Sequence, residues 1–193
     1  MTSSTLRPAP RRAAAALVAS LGGIVLGGLS LPAAAQQASH AFDLIDHTGK
    51  PFSSRALAGQ PYAIFFGFTH CPDVCPTTLL EMSNDLAALG PDGDRLKVLF
   101  VSVDGERDTP ASLKEYLGRL SPDFIGLTGD PDAVRAIAEG FHAAFYKDTP
   151  AADASYKVEH SGQIYLVDAQ GQLRAELYDP PVETITTLVR TLP

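Results

Sequence analysis

Tyr62-Ala63-Ile64-Phe65-Phe66-Gly67-Phe68-Thr69-His70-Cys71-Pro72-Asp73-Val74-Cys75-Pro76-Thr77 runs an apolar stretch directly into a loop with two cysteines and then into a helix start. Tyr62 to Phe68 is nearly all apolar, as expected of a central strand buried on both faces of a sheet. Beyond the loop, Leu79, Met82, Leu86 and Leu89 recur at helical spacing and stop at Gly90-Pro91. Pro76 suits the first helical position and biases Cys75 away from helical geometry. The helix is therefore expected to begin near Pro76, with both cysteines in the turn above it. Three intervening residues let one turn-like excursion bring the sulfurs to the same side. The amides of a helix N-terminus favour thiolate over thiol, and the thiolate is both metal ligand and nucleophile.

Outward from this stretch, strands and helices alternate. Phe42–Ile45 and Pro51-Phe52, around Asp46-His47-Thr48-Gly49, read as an N-terminal hairpin. Leu96–Val103 is a second buried strand. Thr109 caps and Pro110 opens a helix to about Leu120. A short strand over Phe124–Leu127 precedes a helix over Pro131–Phe141. Lys147–Ser155 is polar and small and reads as an exposed loop. Gln163–Val167 and Leu173–Leu177 flank the turn signal Asp168-Ala169-Gln170-Gly171, and Val182–Leu192 is a last helix. A βαβ opening with a closing hairpin and helix is the pattern of an α/β, thioredoxin-like fold, here with an N-terminal hairpin extension.

With 193 residues, 45% of them hydrophobic and 19% charged, the chain is long enough for one domain with a real core. The net charge is −7 and no Lys/Arg cluster lies beyond Arg12, which argues against nucleic acid as a partner. Residues 1–35 read as a leader. Arg7, Arg11 and Arg12 precede an uncharged run over Ala13–Leu31, and Pro32-Ala33-Ala34-Ala35 makes a small-residue exit of the secretory type. The alternative is an uncleaved anchor, since the run approaches the ~20 residues that span a bilayer. Cleavage after Ala35 removes three arginines and moves the net charge from −7 to −10. Residues 36–193 then form the folded domain. Both readings place it outside the cytoplasm, in the periplasm or on the outer face of the inner membrane.

Cys71 and Cys75 are the only cysteines, which excludes a disulfide-rich scaffold and a four-cysteine metal site. As a structural staple the pair would close a ring of about five residues, stabilising by only ~2 kcal/mol in the chain-entropy estimate. A redox dithiol or a metal site are the stronger readings. His160, in Val158-Glu159-His160-Ser161-Gly162, stands where thioredoxins carry a cis-proline facing their cysteines, and no proline occurs between Pro150 and Pro180. An imidazole offers a donor atom that proline lacks. Two thiolates and one imidazole form a soft set suited to copper, whose reduced ion accepts few ligands. Zinc could use them too, although structural zinc usually takes four.

Gly67-Phe68-Thr69-His70-Cys71-Pro72-Asp73-Val74-Cys75-Pro76-Thr77 resembles the signature of the Sco/SenC copper proteins, which assist cytochrome c oxidase assembly. Ser102-Val103-Asp104-Gly105-Glu106-Arg107-Asp108-Thr109-Pro110 resembles their second motif, and Phe124-Ile125-Gly126-Leu127-Thr128-Gly129 a third. His160-Ser161 lies where they place a histidine ligand, and the likeness spans roughly Phe42 to Leu192. The resemblance implies a thioredoxin-like fold and one copper, as Cu(I) or Cu(II), held by Cys71, Cys75 and His160. Gly105 stands where the family usually has proline, which touches the rigidity of that loop and not the ligand set. Asp104, at the carboxyl edge of a buried strand, suits a role behind the ligands or in partner docking, with helix capping and solvent exposure as the plainer readings. His70 should point away from Cys71. His40, His47 and His142 read as exposed or structural, and Phe68 and Tyr156 as packing around the site.

Two functions follow from the resemblance. One is a copper carrier, monomeric, serving the CuA-bearing subunit of cytochrome c oxidase, directly or in relay with another periplasmic copper carrier. The other is a thiol–disulfide reductase that keeps the CuA cysteines reduced, with Cys71 and Cys75 as the redox pair. A peroxidase is a weaker third reading. His160 favours the first, because a pure reductase needs no imidazole there.

Overall fold

The apolar run at Tyr62–Gly67 is an interior strand of a seven-stranded sheet, and every residue in it is buried. The computed structural model describes residues 40–72, 74–148, 156–178, 180 and 182–192, all within the unit Pro32–Pro193. The expected leader, residues 1–35, lies outside them.

The order along the chain is β1 (Asp43–Asp46), β2 (Pro51–Ser53), β3 (Tyr62–Gly67), α1 (Val74–Leu89), β4 (Lys97–Ser102), α2 (Pro110–Gly118), β5 (Ile125–Thr128), α3 (Pro131–Gly140), β6 (Phe145–Lys147), β7 (Val158–His160), β8 (Ile164–Val167), β9 (Leu173–Leu177) and α4 (Val182–Thr191). The large sheet runs β2-β1-β5-β4-β3-β8-β9, and β6 and β7 form a separate two-stranded ribbon. β3 is parallel to β4, with Phe65 opposite Phe100, and antiparallel to β8, with Phe65 opposite Ile164. A βαβ unit joined to an antiparallel hairpin and a closing helix is the expected thioredoxin-like core. The β1–β2 hairpin is added beyond β5, where β1 pairs antiparallel with that strand.

Alternation along the strands divides the core in two. Ala63, Phe65, Val98 and Phe100 face Leu79 and Met82 of α1, Leu113 and Leu117 of α2, and Ile185 and Val189 of α4. Ile64, Phe66, Leu99 and Val101 face Val134 and Ala138 of α3, together with Phe145 and Val158 of the ribbon. The caps follow side-chain chemistry. Thr109 accepts from the Ser112 amide at 3.2 Å, and Asp130 accepts from Asp132 and Ala133.

Two expectations need correction. α1 begins at Val74, so Cys75 lies inside its first turn rather than in the loop above. A first-turn amide has no partner within the helix, so Pro76 removes nothing there. The Cys75 amide instead donates to Cys71 Sγ at 3.4 Å. The segment expected as a loop from Lys147 also starts differently, because Lys147 ends β6 and pairs with Val158. His160 therefore closes the ribbon and pairs with Phe145, one short connection before β8.

Candidate metal centre

The site sits at the carboxyl ends of β3 and β4, where open α/β sheets place their chemistry. At the exit of β3, Gly67 leaves room for it. A Cβ on Gly67 would lie 2.7 Å from the Phe100 ring and 2.9 Å from Cys75 Sγ, so a side chain there would displace the sulfur. The chain then turns, and the Cys71 amide donates to the Phe68 carbonyl at 3.2 Å. Cys71 is half-buried and Cys75 fully buried, and no disulfide joins them.

β7 brings His160 from the other side. Cys71 Sγ, Cys75 Sγ and a His160 ring nitrogen lie within 4.8 Å of one another, close enough for one ion between them to touch all three. No other such group of His, Cys, Asp and Glu occurs among the described residues. The His160 ring is held by two aromatic contacts and at one nitrogen. Phe65 and Phe68 meet it edge-on with centroids 6.1 and 5.8 Å away. Its Nδ1 is 3.0 Å from the Ser161 carbonyl, which can only accept, so Nδ1 carries the proton. Nε2 is thereby turned toward the sulfurs, 3.3 Å from Cys75 Sγ. Cys71 Sγ, Cys75 Sγ and this nitrogen are the atoms that would hold a metal ion there.

The electrostatics agree. The hydrogen bond with Cys71 and then burial push the Cys75 thiol far above the ordinary thiol range. Burial works to lower the His160 imidazole, but hydrogen bonds with Cys71 and Ser161 and the Cys71 charge outweigh it and raise it. The metal-free site therefore holds its protons tightly and must release them on binding an ion.

His70 lies outside the cluster, its side chain 55% exposed and its Nδ1 3.7 Å from Asp108. His47 is structural, accepting from the Gly126 amide at 2.9 Å. His142 pairs with Glu176 at 2.8 Å, and His40 packs on Phe141. Asp104 is fully buried, which overturns its reading as a solvent-exposed residue. Its carboxylate accepts from Arg107 Nε, from the Tyr156 hydroxyl at 2.6 Å and from Lys147 Nζ at 3.3 Å. Tyr156 thus serves Asp104, whereas Phe68 packs on the histidine. Sequence reasoning passed over Asp108. This buried carboxylate accepts from the Thr69 amide at 2.9 Å, the Thr69 hydroxyl at 2.6 Å and the Ser102 hydroxyl at 2.7 Å. The spacing of two acids around Arg107 was its only signal.

Fold and site together define a thioredoxin-like protein in which two thiols and an imidazole replace a simple redox dithiol. The SCO1/SenC family model matches residues 31–191, and the chain belongs to that family. It is 39% identical over 140 residues to an SCO2-like protein of Rickettsia conorii, covering 71% of this chain and 67% of that one. It is 36% identical to protein SenC of Rhodobacter capsulatus, covering 70% of this chain and 61% of that one. Among solved structures, Bradyrhizobium japonicum ScoI with copper bound superposes with a TM-score of 0.72 at 38% identity, covering 79% of this chain and 98% of that one.

Proposed function

We propose that this protein binds one copper ion through Cys71, Cys75 and His160 and carries it, outside the cytoplasm, to the CuA-bearing subunit of cytochrome c oxidase. The observation that carries the reading is the cluster itself: three donor atoms within 4.8 Å, two of them cysteine sulfurs and the third a histidine nitrogen turned toward them. The donor set fits copper, since thiolates suit Cu(I) and imidazole suits both oxidation states. The similarity to a copper-bound ScoI supports the same ion. A half-buried Cys71 at the sheet edge lets another protein's ligands approach and take the ion stepwise. A second periplasmic copper carrier would load the site or supply the other copper of the binuclear CuA centre.

Residues 1–35 act in this reading as an export leader. Among the described residues no helix is long and apolar enough to cross a membrane. N-terminal sequencing of the protein from its host should begin near Gln36, and an intact Met1 in the membrane fraction would establish the anchor instead.

Delivery is tested by mixing the copper-loaded protein with the reduced, metal-free oxidase subunit and following the visible absorption of CuA. The spectrum should develop as the carrier loses copper. Silence, even with added reductant and a second carrier, would remove direct delivery and leave thiol maintenance. That second reading is favoured by one observation, the contact of the Cys75 amide with Cys71 Sγ, which stabilises a thiolate on the more accessible cysteine.

A further inference from the structure

We propose that the loop between β4 and α2, residues 103–109, is a bracket that sets the distance between the cysteine side and the histidine side of the site, with Asp108 holding one and Asp104 the other. The inference rests on the ligand set proposed above and concerns what keeps that set together.

The two sides have different anchors. The cysteines follow β3, a strand of the large sheet that is buried at every position. His160 belongs to a ribbon of two three-residue strands that lies outside that sheet. A hairpin so short is marginal by itself, so its place depends on what it packs against. Phe145 and Val158 supply apolar contact. The polar tie is Asp104, which is met by Lys147 of β6 and by Tyr156 on the approach to β7. One buried carboxylate thus fastens both arms of the ribbon to the end of β4. Arg107 completes the tie: its guanidinium lies 3.8 Å over the Tyr156 ring and 5.7 Å from that of Phe68, and Nη1 donates to the Tyr156 carbonyl at 3.4 Å. Phe68 in turn meets the His160 ring edge-on.

Four residues further, Asp108 grips the other side. It takes the amide and hydroxyl of Thr69, two residues before Cys71, and the Ser102 hydroxyl of β4. The Asp108 amide donates to the Asp104 carbonyl at 2.9 Å, so a single closed turn fixes the spacing of the two acids. Gly105 lets this turn lie against Gly129, whose carbonyl oxygen would be 3.1 Å from an added Cβ. Each carboxylate is buried and fully partnered, and removing its charge leaves cationic or polar donors without their acceptor.

The consequence is selective. Thiolates alone can hold Cu(I), whereas Cu(II) draws on the imidazole. Asp104→Asn should free the ribbon, lowering Cu(II) affinity by about 10–100-fold, the usual effect of losing a group that orients a ligand. Cu(I) affinity should change far less. Asp108→Asn should weaken both oxidation states, because it acts on the cysteine side. Hydrogen exchange on the metal-free protein gives an independent readout. In Asp104→Asn the Asp148 and Ser161 amides, which bond the Lys157 and Ala144 carbonyls, should exchange about tenfold faster or more, as for one lost charge-assisted hydrogen bond. The Cys71 amide should be unaffected there and should accelerate in Asp108→Asn. Tyr156→Phe, which removes one donor and keeps the ring on Arg107, should move the same observables as Asp104→Asn by less, and decides the matter if Asp104→Asn does not fold.

Equal losses of Cu(I) and Cu(II) affinity, or exchange raised uniformly over the chain, would make Asp104 an ordinary structural residue and overturn the bracket. Should His160→Ala bind Cu(II) as well as the parent does, the ligand reading fails, and the exchange data still decide whether the ribbon is tied at Asp104.

Discussion

Cys75→Ser is expected to abolish tight Cu(I) binding, with a loss well beyond the about 10–100-fold that follows from removing a merely supporting partner. The sulfur lies at the bottom of the site, fully buried between Gly67, Phe100 and His160. A hydroxyl there is a hard, poorly acidic donor in a pocket shaped for a soft one. The fold should survive, because a serine hydroxyl can make the same hydrogen bond to His160 Nε2 and so avoids the cost of an unpaired buried polar group. A thermal melt of the metal-free variant checks this, and competition with a Cu(I) chelator measures the affinity. Full stoichiometry and affinity in the variant would place the copper elsewhere. The parent protein's pH dependence follows from the same groups. Cys75 and His160 both have raised pKa values, so both hold protons that the ion must displace, and affinity should rise with pH. The Cys75 share of that slope should persist across the accessible range. The His160 share should fade once the pH passes its raised pKa, above 6.5. Cys75→Ser should therefore flatten the profile at all pH values, and His160→Ala only its acidic end.

What the sequence showed and what it hid divide along a physical line. β3 and α1 were legible because an unbroken apolar run and a helical spacing of Leu79, Met82 and Leu86 are local patterns. The Thr109 cap was legible because its acceptor is its own side chain. Cys71, Cys75 and His160 could be singled out because cysteine and histidine are scarce and their placement around the fold is specific. The ribbon was not legible. Phe145–Lys147 and Val158–His160 are three residues each, too short to alternate, and their pairing is a contact across sequence distance. The start of α1 was missed because the bias of Pro76 on Cys75 is weak beside the burial of Cys75 and its amide contact with Cys71. Asp104 and Asp108 sit among Gly105, Glu106 and Arg107, a run that reads as a solvated turn. Their burial depends on donors from Thr69, Lys147 and Tyr156, which only the tertiary structure assembles.

His160→Ala should separate copper delivery from thiol chemistry, because it removes one ligand and leaves both sulfurs. Cu(II) affinity should fall more than Cu(I) affinity, since the oxidised ion loses the donor it prefers. The void against Phe65 and Phe68 should cost some stability, so expression and melting are measured first. The dithiol should still reduce a model disulfide: the thiolate of one cysteine attacks the substrate sulfur, and the other cysteine resolves the mixed disulfide, oxidising the pair and reducing the substrate by two electrons. Oxidation to a Cys71–Cys75 disulfide consumes both thiolates, so bound copper and that disulfide exclude each other, and copper loading should protect the cysteines from thiol reagents. The variant is then asked to support oxidase assembly in cells lacking the parent protein. We expect low oxidase activity when copper is scarce and partial recovery when copper is added, because mass action can replace a weakened carrier but not a missing reductant. Normal assembly under copper limitation would show that the imidazole is dispensable, and the reductase reading would take the place of the carrier. Failure of assembly with model-disulfide reduction intact would assign the defect to the ion, because the variant keeps both cysteines and lacks only the third donor.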